Sequence, residues 1–252
     1  MLENFMANKP KTVCPECDGV GWIITDRSRN CVKACKCLLK ERNDNKLRFA
    51  NLPPKYATKR LTDVSDFLYM KEESRKTINT CVAAVKEYVE RIDEMQTIGK
   101  GIYMYSETKG TGKTLTTCAM LNELLEKGKQ VKFADAPTIL SEIKRTYENT
   151  SEYTENKLLD ALVTAEILAI DDFGTEKVTD WVNDKFYQII NQRYVNKKVT
   201  IYTSNCELEK LNYDTRIISR IIETCFKIPF PRESVRETIA FNDGMELKAL
   251  QN

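Results

Sequence analysis

Three sets of residues in this 252-residue chain have the types and spacing to do chemistry. The first is Lys109-Gly110-Thr111-Gly112-Lys113-Thr114-Leu115. Glycines let successive backbone N–H groups turn toward an anion, a lysine behind them reaches the outer phosphates of a nucleotide, and a hydroxyl next to it ligates Mg²⁺. These residues predict a site for ATP or ADP, with Lys113 on the β/γ-phosphates and Thr114 on magnesium. The pattern G-x-x-x-x-G-K-[ST] is broken at one position, where Glu107 replaces its first glycine. The second set is Asp171-Asp172, directly after the apolar run Ile167–Ile170. A buried strand tipped with acids completes a phosphate site. Asp171 would hold Mg²⁺ through water, and Asp172 stands where many ATPases place a glutamate that polarises the attacking water.

The third set is sulfur. Five of the nine cysteines fall between Cys14 and Cys37. Two close pairs across a hairpin-length loop have the spacing of a structural Zn²⁺ site. Gly19 and Gly21 permit the turn after Cys14-x-x-Cys17, and Trp22–Ile24 reads as a short strand. Zinc takes four ligands, so Cys14, Cys17, Cys35 and Cys37 are expected, with Cys31 the alternative. So small a module buries little core, and the metal would supply the missing stability.

Composition excludes several classes. The chain has no histidine, so no imidazole base and no mixed Cys/His metal site. An odd cysteine count argues against a disulfide framework. Hydrophobic content of 42% and charged content of 30% describe a soluble globular protein. No apolar run has the length of a membrane span, and the first residues lack the apolar core of a signal peptide, so a cytoplasmic location is expected. Net charge is only +2, but residues 1–60 hold thirteen Lys/Arg against six Asp/Glu. A basic N-terminal segment on a slightly acidic body suits a polyanion or an acidic partner.

The elements that must position these groups alternate. Ile102–Tyr105 reads as a strand into the glycine loop and Leu115–Leu125 as the helix out of it. Before them, residues 38–50 read as a basic helix stopped by Asn51-Leu52-Pro53-Pro54, Leu61–Phe67 as an approach segment and Ser74–Met95 as an amphipathic helix. After them come a strand at Gln130–Asp135, a helix at Ala136–Tyr147, a polar loop at 148–155, a helix at Lys157–Ala165, the Asp171 strand, a helix at Asp180–Lys197 and a strand at Val199–Thr203. That last strand ends at Ser204-Asn205, where a polar tip can touch a γ-phosphate. A helix then starts at Asp214 and carries Arg216 and Arg220. Phe226–Ile228 and Thr238–Phe241 read as closing strands, with Arg232 and Arg236 between them. This is an α/β chain with a parallel sheet covered on both faces. The expected division is a tail at 1–12, a zinc module at 13–38, a helical linker at 39–55 and an ATPase domain at 56–252. Only 47 residues follow Asn205, too few for a full helical lid after the sheet is completed.

Taken together the chain resembles the DnaC/DnaI-type replicative helicase loaders, a branch of the AAA+ ATPases. CPECDGVGW…CVKACKC is similar to the zinc module of the DnaI-like members, LPPKY to the entry of their ATPase domain, KLLDALVTAEILAIDDFGTE to their acidic strand, FYQIINQRYVNKKVTIYTSN to their helix and following strand, and TRIISRIIETC to their arginine helix. The resemblance implies an AAA+ P-loop fold, ATP-dependent loading of a DnaB-type hexameric helicase onto single-stranded DNA, and self-association through the ATPase domains. It implies Lys113, Asp171, Asp172 and the sensor Asn205 as catalytic residues. It also implies an arginine finger, Arg216 or its rival Arg220, reaching ATP on a neighbouring subunit, and Arg236 as a second sensor. Slow, partner-stimulated hydrolysis fits the short Asp172. Three other readings share parts of the pattern: an IstB-type ATPase helper of DNA transposition, a nucleotide-gated zinc adaptor with little hydrolysis, and a P-loop kinase. The kinase leaves the Asn-tipped strand and arginine helix unexplained.

Overall fold

The computed structural model describes residues 14–18, 20, 22–26, 31–38, 50–147 and 155–249, the side chains of Ile24, Asp26 and 243–249 excepted. The tail, Gly19, Gly21, nearly all of the basic helix and most of the 148–155 loop lie outside the described residues. The chain divides into two compact units, Met1–Arg48 and Phe49–Asn252.

In the first unit, β1 (Trp22–Asp26) and β2 (Cys31–Ala34) form an antiparallel hairpin with Trp22 opposite Ala34. The hairpin carries the chain from Cys17 back to Cys35.

The second unit is a five-stranded parallel sheet in the order β4-β5-β6-β3-β7. Its strands are β3 (Gly101–Tyr105), β4 (Val131–Asp135), β5 (Ile167–Asp171), β6 (Val199–Ser204) and β7 (Cys225–Pro229). Side chains alternate across a strand, so each strand feeds two cores. Ile102, Met104, Val131, Phe133, Ile167, Ala169, Val199 and Ile201 face α1 (Glu72–Glu90), α2 (Ile92–Ile98) and α3 (Lys113–Glu126). Tyr103, Leu168, Ile170 and Tyr202 face α4 (Ala136–Arg145), α5 (Glu155–Thr164), α6 (Asp180–Val195) and α7 (Thr215–Thr224). Three layers result, because strands β5 and β6 are buried along their whole length and need a helical cover on each face.

The stripe Ile78, Cys81, Val82, Val85, Tyr88, Val89 and Ile92 is buried as its spacing predicts. The single helix expected there is two, separated at Arg91, whose side chain binds Glu87 and Glu94. Leu61–Asp63 and Asp66–Leu68 are short 3-10 turns. The second closing strand is a correction. Residues 238–241 lie inside helix α8 (Val235–Ala249). Thr238-Ile239-Ala240-Phe241 has strand propensity, but Ile239 and Phe241 remain exposed and gain no sheet partner. The Ser234 hydroxyl accepts the Arg236 N–H at the start of the helix, as an N-terminal cap does.

Candidate nucleotide and zinc sites

The order of the strands decides the site. Strand β6 lies between β3, which leads into the glycine loop, and β5, which ends in Asp171. In a parallel sheet all these ends emerge on one edge, where open α/β sheets bind their ligands.

Gly110 and Gly112 have φ of +74° and +85°, conformations that L side chains avoid. A Cβ on Gly110 would lie 2.8 Å from Ser234 Oγ and 3.0 Å from the Arg236 side chain. The loop is therefore walled by the start of α8, and the Val235 N–H donates to the Gly110 carbonyl at 2.9 Å. On the other side the Tyr69 hydroxyl donates to the Thr111 carbonyl at 2.9 Å. Helix α3 starts at Lys113, so its first-turn N–H groups, which have no partner further back in the helix, open onto the loop. Lys109 and Leu115 flank this turn on either side.

Lys113 is 5% exposed. Its ammonium donates to the Thr108 carbonyl at 3.3 Å and Thr111 Oγ1 at 3.4 Å, inside its own loop. Burial pushes its pKa down to about 8, against the pull of the Asp172 and Asp171 carboxylates. A phosphate chain would supply the charge that the buried ammonium lacks.

Thr114 and Asp171 meet. The Thr114 hydroxyl lies 3.1 and 3.0 Å from the two carboxylate oxygens of Asp171. Burial raises the Asp171 pKa to about 6, although hydrogen bonds from Thr203 and Thr114 favour the anion. A half-buried hydroxyl beside a buried carboxylate fits Mg²⁺, a hard cation that takes oxygen ligands and keeps several waters. Thr203, at the end of β6, ties the acids together. Its hydroxyl donates to Asp171 Oδ1 at 2.5 Å and accepts the Asp172 N–H at 2.9 Å. Asp172 has φ of +52°, and Asn205 Nδ2 lies 3.4 Å from its Oδ1. Lys113, Thr114, Asp171, Asp172 and Asn205 thus converge.

Glu107 turns outward from the loop. Its carboxylate accepts from Lys210 at 2.6 Å, and Arg232 lies 3.9 Å away. Lys210 above all holds its pKa below the usual carboxylate range. Arg216 and Arg220 lie on α7 away from this cluster. Arg216 gives Nε and Nη2 to its neighbour Asp214 at 3.0 and 2.8 Å, and its side chain is 60% exposed.

In the first unit the sulfurs of Cys14, Cys17, Cys35 and Cys37 all lie within 4.8 Å of one another. Cys14–Cys35 is 3.8 Å and Cys17–Cys37 is 3.3 Å. A tetrahedron of sulfurs about 2.3 Å from zinc has edges of about 3.8 Å, so the set fits that ion. Contact with Cys17, then burial, push the Cys37 thiol up to about 12, since thiolates this close need a cation between them. Cys31 is exposed on β2 and outside the cluster.

The spacing of residues pointed to the loop, the acids, Asn205 and the cysteines. It missed Tyr69 and Thr203. Tyr69 sits in a segment with no motif. Thr203 carried one usable signal, a hydroxyl near the tip of a buried strand, two residues before Asn205.

A P-loop at the edge of a five-stranded parallel sheet, with an acidic strand two places away, is the arrangement of a P-loop nucleotide-binding fold. The sequence profile of the IstB-like ATP binding protein family matches residues 34–239, and the chain belongs to that family. Among curated proteins, it is 30% identical over 116 residues to the replicative helicase loader DnaI of Bacillus subtilis (strain 168), covering 46% of this chain and 36% of that protein. It is 28% identical over 130 residues to the replicative helicase loader DnaC of Escherichia coli (strain K12), covering 52% and 51%. The chain thus matches about half the length of these relatives or less. A crystal structure of DnaI superposes with a TM-score of 0.58 at 22% identity, covering 72% of this chain and 95% of that one, a likeness of fold.

Proposed function

We propose that this protein is an ATP-dependent loader of a DnaB-type hexameric replicative helicase onto single-stranded DNA. The observation that carries this reading is an intact ATP cluster in a family whose matching curated relatives are named helicase loaders. The nucleotide lies on the Lys109–Leu115 loop. Lys113 neutralises its outer phosphates, and Thr114 and Asp171 would hold Mg²⁺, which would supply positive charge against the phosphates. In hydrolysis a water oxygen attacks the γ-phosphorus as the bond to the ADP oxygen breaks, and the water's proton is released. Asp172, braced by Thr203 and reached by Asn205, orients that water. Arg216 of a neighbouring copy stabilises the charge that develops on the γ-phosphate.

A single subunit holds Arg216 on its own Asp214, away from its own loop, so turnover is slow until partners assemble. The zinc unit grips the helicase, and ATP-dependent self-association of the second unit presents it to the strand. The transposition-helper reading shares the family, but no matching relative cited above bears that name.

Co-purification with the replicative helicase, compared with a transposase as bait, tests the reading. ATP-dependent retention of the helicase, with one zinc per chain, is expected. Retention of the transposase alone would overturn it. Rapid turnover by the isolated protein, near or above about 10 s⁻¹, would exclude partner-stimulated hydrolysis.

A further inference from the structure

Two carbonyls of the phosphate loop are held from outside. A trans peptide is planar, and its C=O and N–H point in opposite directions. Whatever draws a carbonyl outward therefore turns the next residue's N–H inward. The Gly110 carbonyl accepts the Val235 N–H at 2.9 Å, and the Thr111 carbonyl accepts the Tyr69 hydroxyl at 2.9 Å. The N–H groups of Thr111 and Gly112 thereby point away from these donors, into the loop. Neither has an acceptor among the described residues.

These two peptides need holding. Each adjoins a glycine of positive φ, and a residue without Cβ puts little barrier in the way of a peptide flip. A flipped peptide would aim a carbonyl oxygen at the phosphates in place of an N–H. Val235 is the first residue of α8, and its N–H has no partner within the helix. Tyr69 is a side chain and must itself be fixed. It is buried, and its Oη stands 3.1 Å from where a Cβ on Gly112 would lie. The peptide after Tyr69 is gripped at both ends. Its carbonyl accepts Arg75 Nε at 2.6 Å, and its N–H, that of Met70, donates to Glu233 Oε1 at 2.6 Å. The other oxygen of Glu233 accepts the Lys71 N–H at 3.2 Å. Glu233 lies two residues before α8, so the two outer donors are tied to one another. Burial raises the pKa of the Tyr69 hydroxyl, which keeps it a donor.

We propose that Tyr69 is a positioning residue for nucleotide binding: its hydroxyl holds the Thr111 carbonyl back and keeps the Gly112 N–H facing the phosphates, in a loop set before the nucleotide arrives. Glu233 acts one step behind, by fixing Tyr69 against the start of α8. The inference rests on the reading of this loop as an ATP site. Loop amides hold the phosphates alike in the ground state and the transition state, so Tyr69 acts on affinity and not on the chemical step.

The test compares Tyr69→Phe, Glu233→Ala, the double variant and Lys113→Ala in the full chain. ATP and ADP titration, steady-state hydrolysis and the Gly112 amide NMR resonance without nucleotide are read on the same samples. Tyr69→Phe removes one oxygen and keeps the ring. It is expected to weaken ATP and ADP about tenfold and to raise KM alike, with kcat within about twofold. The Gly112 resonance, single in the native protein, should broaden or double. Glu233→Ala is expected to weaken both nucleotides about threefold, and the double variant to fall no more than about twofold below Tyr69→Phe, since Glu233 acts through Tyr69. Unchanged affinity in Tyr69→Phe beside a loss in Lys113→Ala overturns the role of Tyr69 and leaves the phosphate site standing. Unchanged affinity in Lys113→Ala overturns the site, and Tyr69 with it. A fall in kcat with KM and affinity unchanged also overturns the inference, because lost folded protein gives that pattern and a misplaced amide does not. Additive losses in the double variant overturn the coupling through Glu233. Should Tyr69→Phe fail to fold, Glu233→Ala, which leaves Tyr69 in place, carries the test by the same split between KM and kcat.

Discussion

The Lys210 ammonium holds the Glu107 carboxylate at 2.6 Å, on the outer side of the phosphate loop. Glu107 stands where the loop pattern has glycine, and a free carboxylate there would repel a nucleotide. Lys210, with Arg232 behind it, cancels that charge.

Removing either half of this pair should have unequal effects. Glu107→Gln removes a charge that is already neutralised, and ATP affinity should change by less than about threefold. Lys210→Ala leaves Glu107 beside the loop, and affinity should fall by more. Such a pair is exposed and screened by salt, so the difference should shrink as ionic strength rises. Calorimetric titration of ATP across a salt series checks this. Equal effects of both substitutions would contradict it.

Lys113→Ala should abolish nucleotide binding. The ammonium is buried in the loop on Thr108 and Thr111, whereas Arg236, a second cation beside the loop, packs on Gly110. Fluorescent-nucleotide titration is the measurement, and unchanged affinity would remove the basis for a phosphate site here.

The four clustered thiols should bind one zinc per chain. Cys31→Ser should retain it, since Cys31 lies outside the cluster, whereas Cys17→Ser or Cys37→Ser should lose it. Stripping the metal with a chelator should unfold the first unit and leave the melting of the second in place, because the second has its own two cores. Metal analysis and thermal melts of the same samples decide.

Arg193 offers a stability prediction. It is 1% exposed, and its guanidinium donates to Thr200 Oγ1 and to the carbonyls of Leu162, Val163, Ala165 and Val199. It pins the end of α5 and the start of β6 to α6. Arg193→Leu strands these buried acceptors and should cost about 3–5 kcal/mol, lowering the melting temperature by roughly 10 °C. Arg193→Lys should not rescue, since three donors on one nitrogen cannot serve five acceptors spread around a planar fork.

The sequence by itself determined the loop, the acidic strand and the cysteine cluster. Each is local: its chemistry is written in residues a few positions apart, and the surrounding elements have a clear period. Strand β5 was legible because its residues are apolar in a row with acids at the tip, and β6 because Val199, Ile201 and Tyr202 give it strand propensity on the way to Asn205. Helix α8 was misread because Thr238–Phe241 has strand propensity, and only the absence of a sheet partner decides against it. Tertiary structure alone decided the rest. Strand order placed β6 between the loop and the acids, and so made Thr203 the link between Asp171 and Asp172. The fold also brought Lys210 from another loop onto Glu107 and set Tyr69 against Thr111. These pairs join residues 31 to 103 positions apart in sequence, and no periodicity encodes a contact made only when separate elements pack.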